Sequence, residues 1–334
     1  MSLTLRDVAQ RAKVSSSTVS RVLNNYPYVG EETRTVVLQA AEELGYPIEN
    51  LRRAPPPAAH TILLLTRFPQ EKSQPEMLAG IERAIALGAQ SVFEPLGITT
   101  RVQHLRTTAT EVQLYTNDAT IAGLILLGGV VNRDFIANLQ RLQVPFVVAG
   151  SHVQPLQVNC VMADYQTGIE QAVTHLIQQG RRAIGLVNGL PTTTSSAEKF
   201  NGYRLALALH DLPYCANRVV ASDFTAEAGY QQTRQLLQQA PDLDAVVYGD
   251  DNMAMGGLHA LKEQGYEVPQ DVAITGFYNY EIGRFTDPPL TSVSFDMQGM
   301  GIIAAQRLQM LVEEQDKRAW SVVLPTQLVI RSSS

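Results

Sequence analysis

Three hydroxyl side chains in a row, Ser16, Ser17 and Thr18, followed one helical turn later by Arg21, form the arrangement in this chain best suited to recognition chemistry. Short hydroxyls both donate and accept, and a guanidinium matches the paired acceptors O6 and N7 that guanine displays in the DNA major groove. On one helix these groups can read base edges; on an unspecialised helical hairpin they are solvated polar residues, and spacing alone leaves both readings open. Asp250 and Asp251 are adjacent carboxylates between a strand pattern and a helix pattern, where one can cap the helix and the other face a cleft. There is no Gly-x-Ser-x-Gly elbow, phosphate-cradling loop or His-Glu-x-x-His helix. Six scattered histidines and only two cysteines, Cys160 and Cys215, give neither a metal site nor a disulfide framework, and both thiols are read as core residues. The expectation is a protein that is not an enzyme and carries no metal and no cofactor.

The elements that must position the hydroxyls are short and strongly punctuated. Thr4 and Asp7 have capping-box spacing, so a helix begins at Leu5 and turns Leu5, Val8, Ala9 and Ala12 inward. Ser15 is a good N-cap for a second helix that buries Val19, Val22 and Leu23. A third helix over residues 31–44 buries Val37, Ala40, Ala41 and Leu44, and Gly45 stops it. Two short helices joined by a tight turn typically place the second in a DNA groove. The whole chain has a net charge of −6, which argues against a polyphosphate partner, yet residues 1–30 hold Arg6, Arg11, Lys13 and Arg21 against Asp7 alone.

At 334 residues the chain needs more than one core, and 45% hydrophobic with 17% charged residues is ordinary globular composition. No apolar run approaches the roughly 20 residues that span a bilayer, and the opening is a charged helix pattern and not a secretion signal, so no membrane association and a cytoplasmic location are expected. The segment from Arg52 to Ala59 contains Pro55, Pro56 and Pro57 in succession and is read as a linker. Beyond it, buried-strand runs at 62–65, 123–127, 145–149, 183–187, 245–248 and 272–275 alternate with amphipathic stretches at 77–87, 168–179 and 253–264. Such alternation implies parallel sheets with right-handed crossovers, here in two sets of similar plan.

The run from Thr4 to Asn24, with Val-Gly-Glu-Glu-Thr-Arg at 29–34 and Glu-Leu-Gly-Tyr at 43–46, resembles the head of the lactose-repressor/galactose-repressor family. The resemblance implies that Ser16, Ser17 and Arg21 contact base edges, while Thr4, Ser15, Thr18, Asn24 and Thr33 hold phosphates. Gly30 departs from the serine cap usual there. It further implies a homodimer on near-palindromic operator DNA and a hinge that wedges a leucine into the minor groove. Pro55–Pro57 occupies the place of that leucine, so the expected hinge residues are Leu51, Arg52 and Arg53, either as a shorter hinge helix or on an operator that is bent less.

The resemblance continues through His175-Leu176 with Gly180–Gly185, residues 250–256, residues 268–277 and residues 288–293. It implies an all-α helix-turn-helix head over 1–48, a hinge over 49–60, and over 61–334 an α/β periplasmic-binding-protein-like body of two doubly wound parallel-sheet lobes. Lobe one is expected at 61–160 and 296–321, and lobe two at 161–292 and 322–331. A transport binding protein would share this body but neither the head nor the absence of a secretion signal. Ligands of open α/β sheets lie beyond the carboxyl ends of strands, and the loops there offer Arg67, Phe68, Ser151, Lys199, Phe224, Asp250, Tyr278 and Asn279. Lys199 stands where an arginine is typical, Tyr278 where an aspartate is usual, and Gly150 replaces a frequent aspartate. Fewer acids with the cations kept favour an anionic effector, a sugar acid or phosphosugar, and Lys199 with residues 278–283 faintly resembles gluconate-type repressors. The resemblance makes the chain a transcription regulator, and of its two modes repression is the one expected; whether the effector induces or corepresses stays open. The helices around 77–87 are expected at the dimer interface, and no leucine-heptad tail after Arg331 points to anything larger than a dimer.

Overall fold

The structure, a computed structural model, describes residues 4–23, 29–46, 61–67, 80–105, 120–128, 133–141, 144–152, 157–313 and 318–334. Two compact units separate at His60 and Thr61. Asn24, the expected hinge residues Leu51, Arg52 and Arg53, and Phe68 lie outside the described residues, as do the side chains of Arg21 and Arg67.

The head is three helices, α1 (Leu5–Ala12), α2 (Ser16–Leu23) and α3 (Glu31–Glu43). Its starts and stops are local chemistry. The Asp7 carboxylate accepts from both the N–H and the hydroxyl of Thr4 at 2.7 Å, and Ser15 Oγ accepts from the backbone N–H of Thr18 at 3.1 Å. Lys13 takes a left-handed conformation (φ 55°) to close α1, and Gly45 (φ 66°) ends the run after α3. Val8, Ala9, Ala12, Val19, Val22, Val37, Ala40 and Ala41 make the core, while Leu44 is half-buried at its edge. The Arg11–Glu43 ion pair, at 2.5 Å and exposed, joins α1 to α3.

In the body, one sheet holds β1 (Thr61–Arg67), β2 (Thr99–Leu105), β3 (Ile121–Leu127), β4 (Phe146–Ala149), β5 (Cys160–Ala163) and β11 (Ser321–Leu324), all parallel, in the order β11-β5-β4-β3-β1-β2. The second holds β6 (Ile184–Asn188), β7 (Val219–Ala221), β8 (Ala245–Tyr248), β9 (Ala273–Phe277), β10 (Thr291–Ser294) and β12 (Gln327–Val329), in the order β12-β10-β9-β8-β6-β7. The two orders are the same plan, except that β12 runs antiparallel to β10. The fold is therefore the two doubly wound lobes expected, with one antiparallel edge. Strand pairing carries each element to its end before the crossing: β5 stays in the first sheet to Ala163, β10 in the second to Ser294 and β11 in the first to Leu324, two to three residues beyond the ends expected at 160, 292 and 321.

Around the sheets lie α4 (Gly80–Phe93), α5 (Arg133–Arg141), α6 (Tyr165–Gln178), α7 (Thr194–Leu209), α8 (Ala226–Gln239), α9 (Asp251–Glu263) and α10 (Met297–Val312). Three helix pairs cross with backbones nearly touching, and glycine is what permits it. A Cβ on Gly301 of α10 would stand 2.0 Å from the Ile85 carbonyl of α4, one on Gly202 of α7 2.2 Å from Gln166 of α6, and one on Gly256 of α9 1.8 Å from Ala226 of α8. These crossings close each lobe over continuous apolar strands that are buried on both faces. Cys160 is buried as expected; Cys215 is only half-buried, because it precedes a short surface turn. Among the described residues no helix is long and apolar enough to cross a membrane.

Candidate functional site

On the head, Ser15, Ser16 and Ser17 are exposed at the start of α2 and Thr18 is half-buried, while Val19 and Val22 anchor the opposite face. Thr4 is exposed at the start of α1 and Thr33 is half-buried in the first turn of α3. The Ser15 hydroxyl lies 2.7 Å from that of Ser17 and 2.8 Å from that of Thr18, so both are engaged with the cap in the free head. That leaves Ser16 as the hydroxyl of the trio turned outward without a bond to this cap. A row of short polar groups projecting from a helix start, with its apolar face anchored, is suited to insertion in a groove.

In the body, the carboxyl ends of β8 and β9 converge on Lys199, which α7 delivers from the side. The amine is fully buried. It donates to the Gly249 carbonyl at 2.6 Å and to the Tyr278 hydroxyl at 3.2 Å. The rings of Phe277, Tyr278, Tyr165 and Phe224 surround it at 4.2, 4.4, 5.2 and 5.9 Å. Burial pushes Lys199 down to about 7, with Asp250, Asp251 and Glu198 opposing the fall.

Asp250 performs both duties expected of the aspartate pair. It accepts from the Asn252 N–H at 2.7 Å as the cap of α9, and its other oxygen lies 3.5 Å from the Tyr280 hydroxyl. Asp251 was the other candidate to face the cleft but turns away. Its carboxylate accepts from the Ser292 hydroxyl and the Tyr280 N–H, both at 2.6 Å. Burial raises both aspartates to about 7, and Glu198 as well, the last aided by Asp164.

Asp251 clasps a strained turn. Tyr278 (φ 96°) and Asn279 (φ 50°) both occupy the left-handed region, which L-residues avoid unless their surroundings compel it. Asn279 was expected in the cleft but is spent on the turn. Its N–H donates to Ser292, its amide to Ser294, and its carbonyl oxygen accepts from Arg331. The turn lays the Tyr278 and Tyr280 rings against each other at 5.5 Å and 9°.

Ser151 is buried, with its hydroxyl bonded to the neighbouring His152 carbonyl. Gly150 precedes it with φ 92°, which is the local reason for a glycine there, and its carbonyl accepts from Tyr165 at 2.9 Å. Phe224 lies against Gly189, where a Cβ would come 2.0 Å from the ring. Thus Lys199, Asp250, Tyr278 and Phe224 come together, while Asn279 and Ser151 serve the scaffold. Sequence reasoning missed Tyr280, Tyr165, Glu198 and Glu82. Glu82, on the first turn of α4, is raised by its own burial and helps raise Asp250. The expectation of an anionic effector counted Lys199 without the carboxyls of Asp250, Asp251 and Glu198, which act on its amine.

Comparison with known proteins accounts for both units. Residues 4–47 match the family described as bacterial regulatory proteins, lacI family, and residues 173–334 match the periplasmic binding protein-like domain. The chain is 30% identical to catabolite control protein A of Priestia megaterium over 338 residues, covering all of both chains. It is 31% identical to the HTH-type transcriptional repressor CytR of Escherichia coli (strain K12) over 332 residues, 99% of this chain and 96% of that one. Among solved structures it superposes on a transcriptional regulator CelR-cellobiose complex with a TM-score of 0.76 and 30% identity, over 99% of this chain and 100% of that one.

Proposed function

This chain belongs to the LacI family of bacterial regulatory proteins, a family of DNA-binding regulators and not of enzymes, and on that premise we propose that it represses transcription as a cytoplasmic homodimer on a near-palindromic operator. The observation that carries this reading is the exposed start of α2, with Ser16 and Ser17 outward over a buried Val19 and Val22. In this reading Ser16, Ser17 and Arg21 meet base edges, and Thr4, Ser15, Thr18, Asn24 and Thr33 meet phosphates. Leu51, Arg52 and Arg53 form the hinge. Half-exposed Leu87, on α4, belongs to the dimer face.

The effector is a neutral polyhydroxyl compound of the sugar class, received by Lys199, Asp250, Tyr278 and Phe224, with Arg67, Phe68 and Ser151 as further contacts in this reading. A cellobiose-bound relative of the same fold supports the class, and the carboxyls that act on Lys199 favour a neutral member of it. Aromatic faces stack on the apolar sides of a sugar while an amine and a carboxyl meet its hydroxyls. Occupancy sets operator affinity to the extent that the effector binds one lobe arrangement better than the other. A gel-shift series on palindromic duplexes tests the reading. Arg21→Ala should lose about 1–3 kcal/mol of operator affinity and relax discrimination at one base pair per half-site. Unchanged affinity would remove α2 as the reading helix. Calorimetry with neutral sugars against sugar acids tests the effector class, and selective binding of the acids would reject neutrality.

A further inference from the structure

We propose that Tyr280 is a positioning residue that ties the contents of the cleft to the lobe-one helix α4, its ring lying on Tyr278 and its hydroxyl reaching the helix's first turn. The hydroxyl lies against Gly80 at the start of α4, where the Ile81 N–H opposes the rise that burial gives its pKa, and it donates to Asp250 in lobe two at 3.5 Å. Gly80 packs against it: a Cβ there would come 2.6 Å from the Tyr280 oxygen, and the residue's φ of 55° favours glycine as well.

Two further hydroxyls bridge the lobes, and they differ in kind. Tyr165 donates to the Gly150 carbonyl at 2.9 Å and Thr194 to the His152 carbonyl at 2.7 Å. Both donate to the loop after β4. The Tyr280 hydroxyl instead donates to Asp250 of its own lobe and lies against Gly80 of the other. The strained turn is what aims it. With Tyr278 and Asn279 at positive φ, the Asp251 carboxylate fixes the Tyr280 N–H at 2.6 Å and the ring is left no choice but to stack. A ligand that moves Tyr278 must therefore move Tyr280, and with it the contact to α4.

The inference rests on the regulatory reading only for its consequence at the operator; the measurements below need neither DNA nor effector. In the full chain carrying Cys215→Ser, with Cys160 left buried, spin labels at exposed Glu94 and Gln238 report the distance between lobes. Tyr280→Phe keeps the stack and removes the hydroxyl. Expected is an Ile81 amide that exchanges about threefold to tenfold faster, the worth of one lost hydrogen bond. The label-to-label distribution should shift to longer distances, while Ile85 exchange and the unfolding temperature stay as in the parent. Gly80→Ala, which displaces the hydroxyl and keeps the ring, should reproduce both changes, with a lowered unfolding temperature from alanine at φ 55°. Unchanged Ile81 exchange and an unchanged distance distribution in both variants would overturn the assignment, as would equal acceleration at Ile81 and Ile85, which would mark a merely structural residue.

Discussion

Replacing Lys199 with methionine should leave the body at least as stable at pH 7, although it deletes the most buried cation of the cleft. A drop from 10.5 to about 7 means that the site disfavours the charged amine, by at most about 5 kcal/mol. Against this, the variant strands the Gly249 carbonyl, which now accepts at 2.6 Å, at a cost of about 1–3 kcal/mol. Asp250 loses a partner, but it already titrates near 7 and can stay protonated. Methionine fills the same volume among four rings and adds favourable sulfur-aromatic contact. The balance is between neutral and about 3 kcal/mol in favour of the variant, or a rise of several degrees in unfolding temperature at roughly 2–4 °C per kcal/mol for a body of this size. The pH dependence has a definite sign. With its folded value below its unfolded one, Lys199 imposes its full cost below pH 7, and the cost fades as pH rises from about 7 towards 10.5. The advantage of methionine should therefore be largest at pH 6 and shrink by pH 9. Differential scanning calorimetry across that range decides it. A fall of more than about 3 °C at pH 7, or an advantage that grows with pH, would show that the amine stabilises the fold and that the reasoning from burial is wrong.

Gly256→Ala should destabilise lobe two by about 3 kcal/mol, because its Cβ would stand 1.8 Å from a backbone carbonyl that cannot yield without separating α8 from α9; urea unfolding followed by circular dichroism measures it. Gly30→Ser should stabilise the head by about 0.5–1 kcal/mol, since φ −55° and ψ 142° suit any residue and no atom lies within 4 Å of the new Cβ. The head transition in calorimetry should move up, and no movement would mean that the serine hydroxyl fails to cap α3.

What could be read from residues alone was what local chemistry decides. The caps at Thr4 and Asp7, at Ser15 and at Gly45 act within four residues, so α1, α2 and α3 were legible to within a residue or two. Strands buried on both faces are continuous apolar runs, and β1, β3, β4, β6, β8 and β9 were found that way. Of the strands missed, β5 (Cys160–Ala163) obeys that rule and was overlooked for its four-residue length, whereas others break it. β2 (Thr99–Leu105) and β11 (Ser321–Leu324) are edges with polar residues interleaved, and β7 is only three residues long. Lys199, Asp250, Tyr278 and Phe224, which the structure brings together, were picked out from loops beyond strand ends or beside a matched landmark. Tyr280 and Glu82 belong to the cleft through a turn in one lobe and a helix start in the other, and no sequence spacing encodes that meeting. The charge argument was incomplete. It counted substitutions at single positions, whereas Glu198, next to Lys199 on α7, and Asp251, on α9, also act on the amine.

The division of labour between the lobes follows from where the unfavourable features sit. The strained turn at Tyr278 and Asn279, the buried amine and the aspartates raised to about 7 all belong to lobe two, with Glu198 beside them on α7. Such features persist only where the surrounding structure compels them, and here Ser292, Ser294, Arg331 and the Asp251 carboxylate do so from within the same lobe. Among the described residues, lobe one meets these groups through the Gly150 and His152 carbonyls, the His152 ring beside Glu198 and the start of α4 at Gly80. Backbone groups discriminate poorly among hydroxylated ligands but report position well, because they move only with their whole element. On the proposed effector site, substitutions that alter effector choice should therefore fall around Lys199 and Tyr278, and those that alter coupling around Gly80 and Tyr280.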